Sequence, residues 1–373
     1  MLETFTVPSN ISVKTNYQFL NNCYIAKQLI LECDVEASNG TPFALQIPGY
    51  VEDLQLLGAM HFSSYSLSLG GYLKNLVIGE NVQIDNINSL CNNVSYSMTV
   101  NSKYITSLSG QFWQFKGDTL TIGTNTITTM TNAFQGMTKV TSFTVPSGTT
   151  TLDGCFKNSN LLSTLVIGND VTSISNISNT PALSNLTLGN SVQTILNSFQ
   201  SAQLTSLNIP NSVTQITSSF IYNPITTITI GSGLQSYPYN ANTFSNLTSI
   251  TISANNQYIK SVNDNSVYSK DGTILYCIVK TAASVTIETG TTTIYTRAIG
   301  HSSLSKLVLP ASVITVQSYG INPNIYLDVL EIDNPTLDTT NLPYTNVSKI
   351  MGYAGSTAET FANDHSITFE VIT

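Results

Sequence analysis

"LTSLNIPNSVTQI", Leu204 to Ile216, places apolar residues at offsets 0, 3, 5, 9 and 12. A long amphipathic helix needs spacings of three and four throughout, and a long strand needs strict alternation, so neither accounts for the stretch. Twenty-one residues earlier, "LSNLTLGNSVQTI", Leu183 to Ile195, repeats the same offsets and the same Asn-Ser-Val after the turn residue. The two stretches are successive copies of one repeat.

The second apolar residue of each h-x-h pair that precedes Gly, Pro or another turn-former marks the register. It falls at Ile78, Val100, Ile122, Val145, Ile167, Leu188, Ile209, Ile230 and Ile252, in steps of 21 to 23. After a gap of 35 it resumes at Ile287, Leu309 and Ile332. Upstream, Val7 and Ile47 fit the same template with irregular spacing, so about fourteen turns are proposed. Within each unit the h-x-h pair, such as Leu207 and Ile209, reads as a short strand with both side chains on one face. Gly or Pro then ends the strand (Gly168, Gly189, Pro210, Gly231, Pro310), because proline removes a ladder donor and glycine permits a turn. Val213 and Ile216 return the chain to the core, and an aromatic often follows: Phe134, Phe156, Phe199, Phe220 and Phe244. One unit cannot bury these groups alone, so stacking is required. The expected fold is a β-rich solenoid with a parallel sheet, one short strand per ~22-residue repeat.

The pattern L-x-x-L-x-I-P/G-x-S-V-x-x-I followed by Phe resembles the BspA-type leucine-rich repeats found in many surface antigens of bacteria and some protists. The resemblance runs from about Pro42 to Gly352. It implies an N-terminal cap with degenerate repeats over 1–41, a leucine-rich repeat solenoid over 42–352 and a C-terminal cap over 353–373. It also implies an inserted β-hairpin at about 254–282, where "YIKSVNDNSVYSKDGTILYC" sets Val267 and Tyr268 against Ile274 to Tyr276 with Lys270 to Gly272 as the turn. In the tail, Ser356 and Glu359 form an S-x-x-E capping box. Ala358, Phe361 and Ala362 make one helical face, and Ile367, Phe369 and Val371 alternate as a closing strand.

Composition narrows the function. Hydrophobic residues make up 41% of the chain and charged residues only 9%, against roughly one quarter charged in ordinary domains. Ser, Thr and Asn must therefore fill the solvent-facing positions. A net charge of -8, one Arg (Arg297) and scattered lysines argue against a nucleic-acid groove, which needs clustered cations. No run approaches the ~20 apolar residues of a membrane span, and the start "MLETFTVPSNISVKT" lacks the basic and apolar regions of a signal peptide. The five cysteines (Cys23, Cys33, Cys91, Cys155, Cys277) are widely spaced without C-x-x-C and read as buried free thiols.

His61, His301 and His365 are isolated, and no nucleophile elbow, zinc, P-loop or dinucleotide motif occurs. No catalytic residue, cofactor or metal is expected. Glu32, Asp34 and Glu36 in "LECDVEA" would share one face of a strand, as a cation site or, by preference, as charges that deter edge pairing. "NDNSVYSKDG" reads as a polar turn. Seven N-x-S/T triplets, at Asn10, Asn39, Asn93, Asn176, Asn185, Asn246 and Asn346, match what this composition yields by chance.

The middle residue of each h-x-h pair must face away from the core. Those residues run Val77, Thr99, Thr121, Thr144, Val166, Thr187, Asn208, Thr229, Thr251, Thr286 and Val308, and a second column includes Asn185, Ser206, Thr227 and Ser249. Threonine columns suit cross-strand packing and need no ligand. They equally suit a weakly polar docking face for a protein or a glycan, because low charge limits the desolvation cost. Asn185, Thr187, Ser206, Asn208, Thr227, Thr229, Ser249 and Thr251 are the candidate docking residues. The expected function is non-enzymatic binding or adhesion, at the cell surface or outside it by resemblance. The alternative is a structural or attachment component of a phage or virus particle, and a homo-oligomer or particle assembly is open.

Overall fold

The computed structural model describes residues 2–15, 26–37, 45–63, 67–69, 73–123, 127–239, 243–244, 246–279, 283–300 and 303–372. They form two compact units, Met1–Gln203 and Leu204–Thr373. Each is a stack of parallel-strand coils, and the h-x-h pairs form the strands as the spacing predicts.

In the first unit, six parallel strands run in order Leu2–Val7, Ala26–Leu31, Asp53–Leu56, Leu73–Ile78, Val94–Val100 and Thr119–Ile122. A second sheet joins Ser142–Thr144, Thr164–Val166 and Asn185–Thr187. The register pairs like with like: Leu76 with Met98 and Ile78 with Val100, then Leu165 with Leu186. Near the N-terminus the register differs from the template. Val7 pairs with Leu31 and Leu31 with Leu56, whereas Ile47 follows the separate strand Leu45–Gln46, paired with Leu67–Ser68. Leu31 and Leu56 escape the template because Glu32 and Leu57, not a turn residue, follow them. The turn residue comes one place later at Gly58, where a Cβ would lie 2.0 Å from the Cys33 carbonyl oxygen.

A second ladder of short strands accompanies the first. Thr129–Thr131, Thr151–Asp153, Ser173–Ser175 and Thr194–Leu196 pair in parallel, stacking Met130, Leu152, Ile174 and Ile195 inward. Each is three residues long with one inward apolar side chain, too short to read as a strand in isolation. The same ladder begins with Ser12–Thr15, Asp34–Ala37, Met60–Phe62 and Val82–Ile84. It breaks after Val82–Ile84, since the next coil contributes only an isolated bridge between Ser107 and Thr129.

The buried phenylalanines follow an unexpected backbone rule. Phe112, Phe134, Phe156 and Phe199 all have φ near +60° and no exposed surface. The residue two before each is also left-handed: Gly110, Asn132, Gly154 and Asn197. This kink turns backbone groups toward the adjacent coils. Asn132 N–H donates forward to Asp153 O (2.7 Å), and Phe156 N–H donates back to Ala133 O (3.0 Å). The rings stack at 5.3 Å between centroids, Phe112 on Phe134 and Phe134 on Phe156.

The second unit opens with three paired strands, Ser206–Ile209, Thr227–Ile230 and Ser249–Ile252. The insertion follows as three antiparallel strands, Ile259–Val262, Ser266–Ser269 and Ile274–Ile278, one more than the expected hairpin. Its turn has Gly272 at φ +83°. Asp271 Oδ1 accepts from Ser269 Oγ (2.6 Å), Thr273 Oγ1 (2.9 Å) and Thr273 N–H (3.0 Å), so only the two ends of "NDNSVYSKDG" are polar turns, and its middle is the strand Ser266–Ser269 with Val267 and Tyr268 buried. The Ser269 bond above all, with the two from Thr273, holds the Asp271 carboxyl down at about 2. A depressed carboxyl contributes stability above its unfolded value of ~4 and loses it as pH falls through the folded value. The turn is therefore expected to loosen between about pH 4 and pH 2, seen as a Thr273 amide shift that titrates with the Asp271 carboxyl. An Asp271 carboxyl titrating near 4 would contradict this.

Parallel stacking resumes with Ser284–Thr286, Lys306–Leu309, Val329–Ile332, Lys349–Gly352 and Thr368–Val371. The capping helix is Thr357–Asp364. Ser356 Oγ accepts from Glu359 N–H (3.3 Å), while Glu359 Oε2 reaches Gly355 N–H (2.6 Å), one residue beyond the usual box partner. Ala358, Phe361 and Ala362 are buried as expected, but of the closing strand's apolar residues Phe369 is half-buried and Val371 exposed. No further coil covers them among the described residues.

Candidate functional site

Six of the eight candidate docking residues share one sheet of the second unit. Ser206, Thr227 and Ser249 form one row and Asn208, Thr229 and Thr251 the next. Leu207, Ile209, Ile228 and Ile230 between them are buried, while Ser206, Asn208, Thr227 and Thr229 are exposed. Asn185 and Thr187 are also exposed but end a different sheet, in the first unit.

Hydrogen bonding separates structural hydroxyls from available ones. One column earlier, Thr226 Oγ1 donates to Thr205 O and Thr248 Oγ1 to Thr226 O, both at 3.1 Å. In the first unit, Ser163 Oγ donates to Thr141 O (3.0 Å). Those hydroxyls tie coil to coil. The side chains of Ser206, Asn208, Thr227 and Thr229 make no hydrogen bond within the described residues. Thr251 Oγ1, by contrast, donates to Asp264 Oδ1 (3.2 Å), and Ile250 N–H donates to Asp264 O (2.9 Å). The insertion thus closes this edge of the sheet, leaving Ser249 half-buried.

The outward columns change character elsewhere. Toward the start of the first unit part of one column is self-satisfied: Ser97 Oγ donates to Asn75 Oδ1 and Asn75 Nδ2 to Asp53 Oδ1, both at 2.5 Å. Near the C-terminus they are charged, with Lys306 paired to Glu331 (2.8 Å) and Lys349 to Glu370 (2.7 Å). Val308, expected to face outward, is buried beside the Lys306–Glu331 pair, in keeping with the way long charged side chains lay their stems over apolar neighbours.

The repeat has a family counterpart. A family model, the BspA type leucine rich repeat region, matches residues 61–180 and 177–263 with six copies. The chain belongs to the BspA-type leucine-rich repeat family. Solved structures similar to this BspA-type chain include a leucine-rich repeat protein from Bacteroides ovatus ATCC 8483, 14% identical, covering 89% of this chain and 92% of that one with a TM-score of 0.49. A leucine-rich repeat protein from Eubacterium ventriosum ATCC 27560 is 20% identical over 58% of this chain and 68% of that one, with a TM-score of 0.41. A leucine rich cell surface protein from Faecalibacterium prausnitzii A2-165 is 14% identical over 81% and 83%, with a TM-score of 0.35. A comparison with curated proteins finds no match.

The remaining candidates resolve into structural roles. Glu32, Asp34 and Glu36 do not share one strand: the break at Glu32–Cys33 separates Ala26–Leu31 from Asp34–Ala37. Asp34–Ala37 is paired on both sides and so guards no edge, and the Asp34 carboxylate accepts from Ala59 N–H (2.8 Å). No group of three His, Cys, Asp or Glu suited to a metal occurs among the described residues, nor does a helix long and apolar enough to cross a membrane. His365 packs between the rings of Tyr344 and Phe361 at 4.5 and 4.4 Å, and His61 pairs with Asp85 at 3.0 Å. Cys33, Cys91, Cys155 and Cys277 are buried free thiols, and burial pushes Cys91 and Cys277 up to about 12. Cys23, Asn39 and His301 lie outside the described residues, as does the side chain of Glu36.

Proposed function

We propose that this BspA-type chain is a non-enzymatic binding or adhesion protein whose second unit receives a protein or glycan on the face formed by Ser206, Asn208, Thr227 and Thr229. One observation carries the reading: these polar groups are exposed, in register and without protein partners, while the matching columns toward either end of the chain are internally bonded, as at Asn75 and Ser97, or ion-paired, as at Lys306 and Glu331. A partner that matches the hydroxyls and amides displaces water without stripping charges, which keeps the desolvation cost low. A place at a cell surface follows the family's association with surface antigens. The particle-component reading gains no support from the fold or the family match.

The test uses bulk. Asn208→Trp combined with Thr229→Trp projects two large rings outward from exposed strand positions. Folding is expected to stay within about 0.5 kcal/mol of the parent. Binding to host-surface proteins or glycans, measured by surface plasmon resonance, is expected to fall at least about tenfold. A folded double variant that binds as the parent does would remove this face from consideration.

A further inference from the structure

The break in the first unit's second ladder leaves a cleft. Val82–Ile84 pairs with Met60–Phe62 on one side, but the following coil does not pair with it on the other. The opening, about 220 Å³, is lined by residues 83–85 and 87 on one side and by 104–107 with Gln111 on the other. That is below the ~300–1,000 Å³ of pockets for drug-sized ligands, so it suits a single ring rather than an extended chain.

Three features of the wall point to one ligand chemistry. Tyr104, 48% exposed, lines the cleft. Lys103 Nζ, bonded to Asn81 Oδ1 at 2.7 Å, lies 5.4 Å from the ring centroid and steadies it. Second, Asp85 uses Oδ1 for both His61 Nε2 (3.0 Å) and Gln83 Nε2 (3.5 Å), leaving Oδ2 to accept from a ligand. Third, Gln111 lines the cleft and its buried Oε1 has no hydrogen-bond partner, so a turn of the half-buried side chain would bring this orphaned acceptor to a donor in the cleft. An apolar face on Tyr104 and hydroxyl donors toward Asp85 and Gln111 describe a neutral pyranose, whose ring C–H groups and equatorial hydroxyls present both at once.

We propose that this cleft is a monosaccharide-binding site, separate from the face formed by Ser206, Asn208, Thr227 and Thr229. The sugar is either free or the non-reducing end of a glycan. The full chain is probed by saturation-transfer NMR with glucose, galactose, mannose and N-acetylglucosamine at millimolar concentration, and on an array displaying the same sugars as glycan termini. At least one is expected to bind. Tyr104→Ala should weaken that binding about tenfold, and Tyr104→Phe, which keeps the ring, by no more than about twofold. Asp85→Asn should weaken it as well. Tyr104 and Asp85 are exposed, so thermal unfolding of these variants should match the parent. The Asn208→Trp, Thr229→Trp variant should bind the sugar unchanged, which separates this site from the docking face. Binding of free sugars assigns a small-molecule ligand; Tyr104-dependent binding on the array alone assigns a glycan terminus. If neither format shows binding, or Tyr104→Ala binds as the parent does, the proposal is overturned.

Discussion

Replacing Leu207 or Ile209 by Asp is expected to unfold the coils around residues 206–252 and to lower stability by more than about 4 kcal/mol. Both side chains are buried, Ile209 at 1% exposure, and the register sets Leu207 on Ile228 and Ile209 on Ile230. Truncating a core Leu or Ile costs ~2–5 kcal/mol by itself. A carboxylate adds a group that must be neutralised or desolvated without a partner, for a further ~1–3 kcal/mol or more. Because each coil gains its burial from its neighbours, the damage spreads along the stack rather than staying at one strand. Urea unfolding should show an earlier transition, and hydrogen exchange should show lost protection at Thr227–Ile230 and Ser249–Ile252. A Leu207→Asp chain with the parent's midpoint would mean that the inward face has been misassigned.

The second large effect is expected at Phe156. Its ring is fully buried, 5.3 Å from the rings of both Phe134 and Phe143. Phe156→Ala should cost about 3–5 kcal/mol, because the stacked coils on either side cannot close over the lost ring. A second variant isolates the backbone contribution. At φ +61° an L-residue carries left-handed strain of ~1–2 kcal/mol that glycine does not. Phe156→Gly should therefore be the more stable of the two, by up to about 1 kcal/mol after the entropic cost of glycine. This order is the reverse of that at an ordinary strand or helix position. Chemical denaturation of both proteins tests it, and an alanine variant more stable than the glycine one would contradict the left-handed assignment.

The sequence alone determined the repeat and its polarity. The 21-to-23-residue spacing, the alternation Leu207-Asn208-Ile209 and the turn residue after it dictate a short strand with one face inside, and stacking is the only way to bury that face. The capping helix was legible because an S-x-x-E start is a local signal, and two of the insertion's three antiparallel strands were legible from their alternation together with the family resemblance, whereas Ile259–Val262 was not. Tertiary structure decided what depends on the neighbouring coil. Whether Thr226 or Thr227 gives its hydroxyl to the protein is fixed by the Thr205 carbonyl 21 residues away, which no local pattern records. Leu31 and Leu56, not Ile47, carry the first ladder because pairing tolerates a displaced turn residue that the template does not. The second ladder, the left-handed phenylalanines and the cleft beside Tyr104 have the same origin. A single apolar residue between two polar ones becomes a strand, a kink or a gap according to the hydrogen bonds the adjacent coils offer.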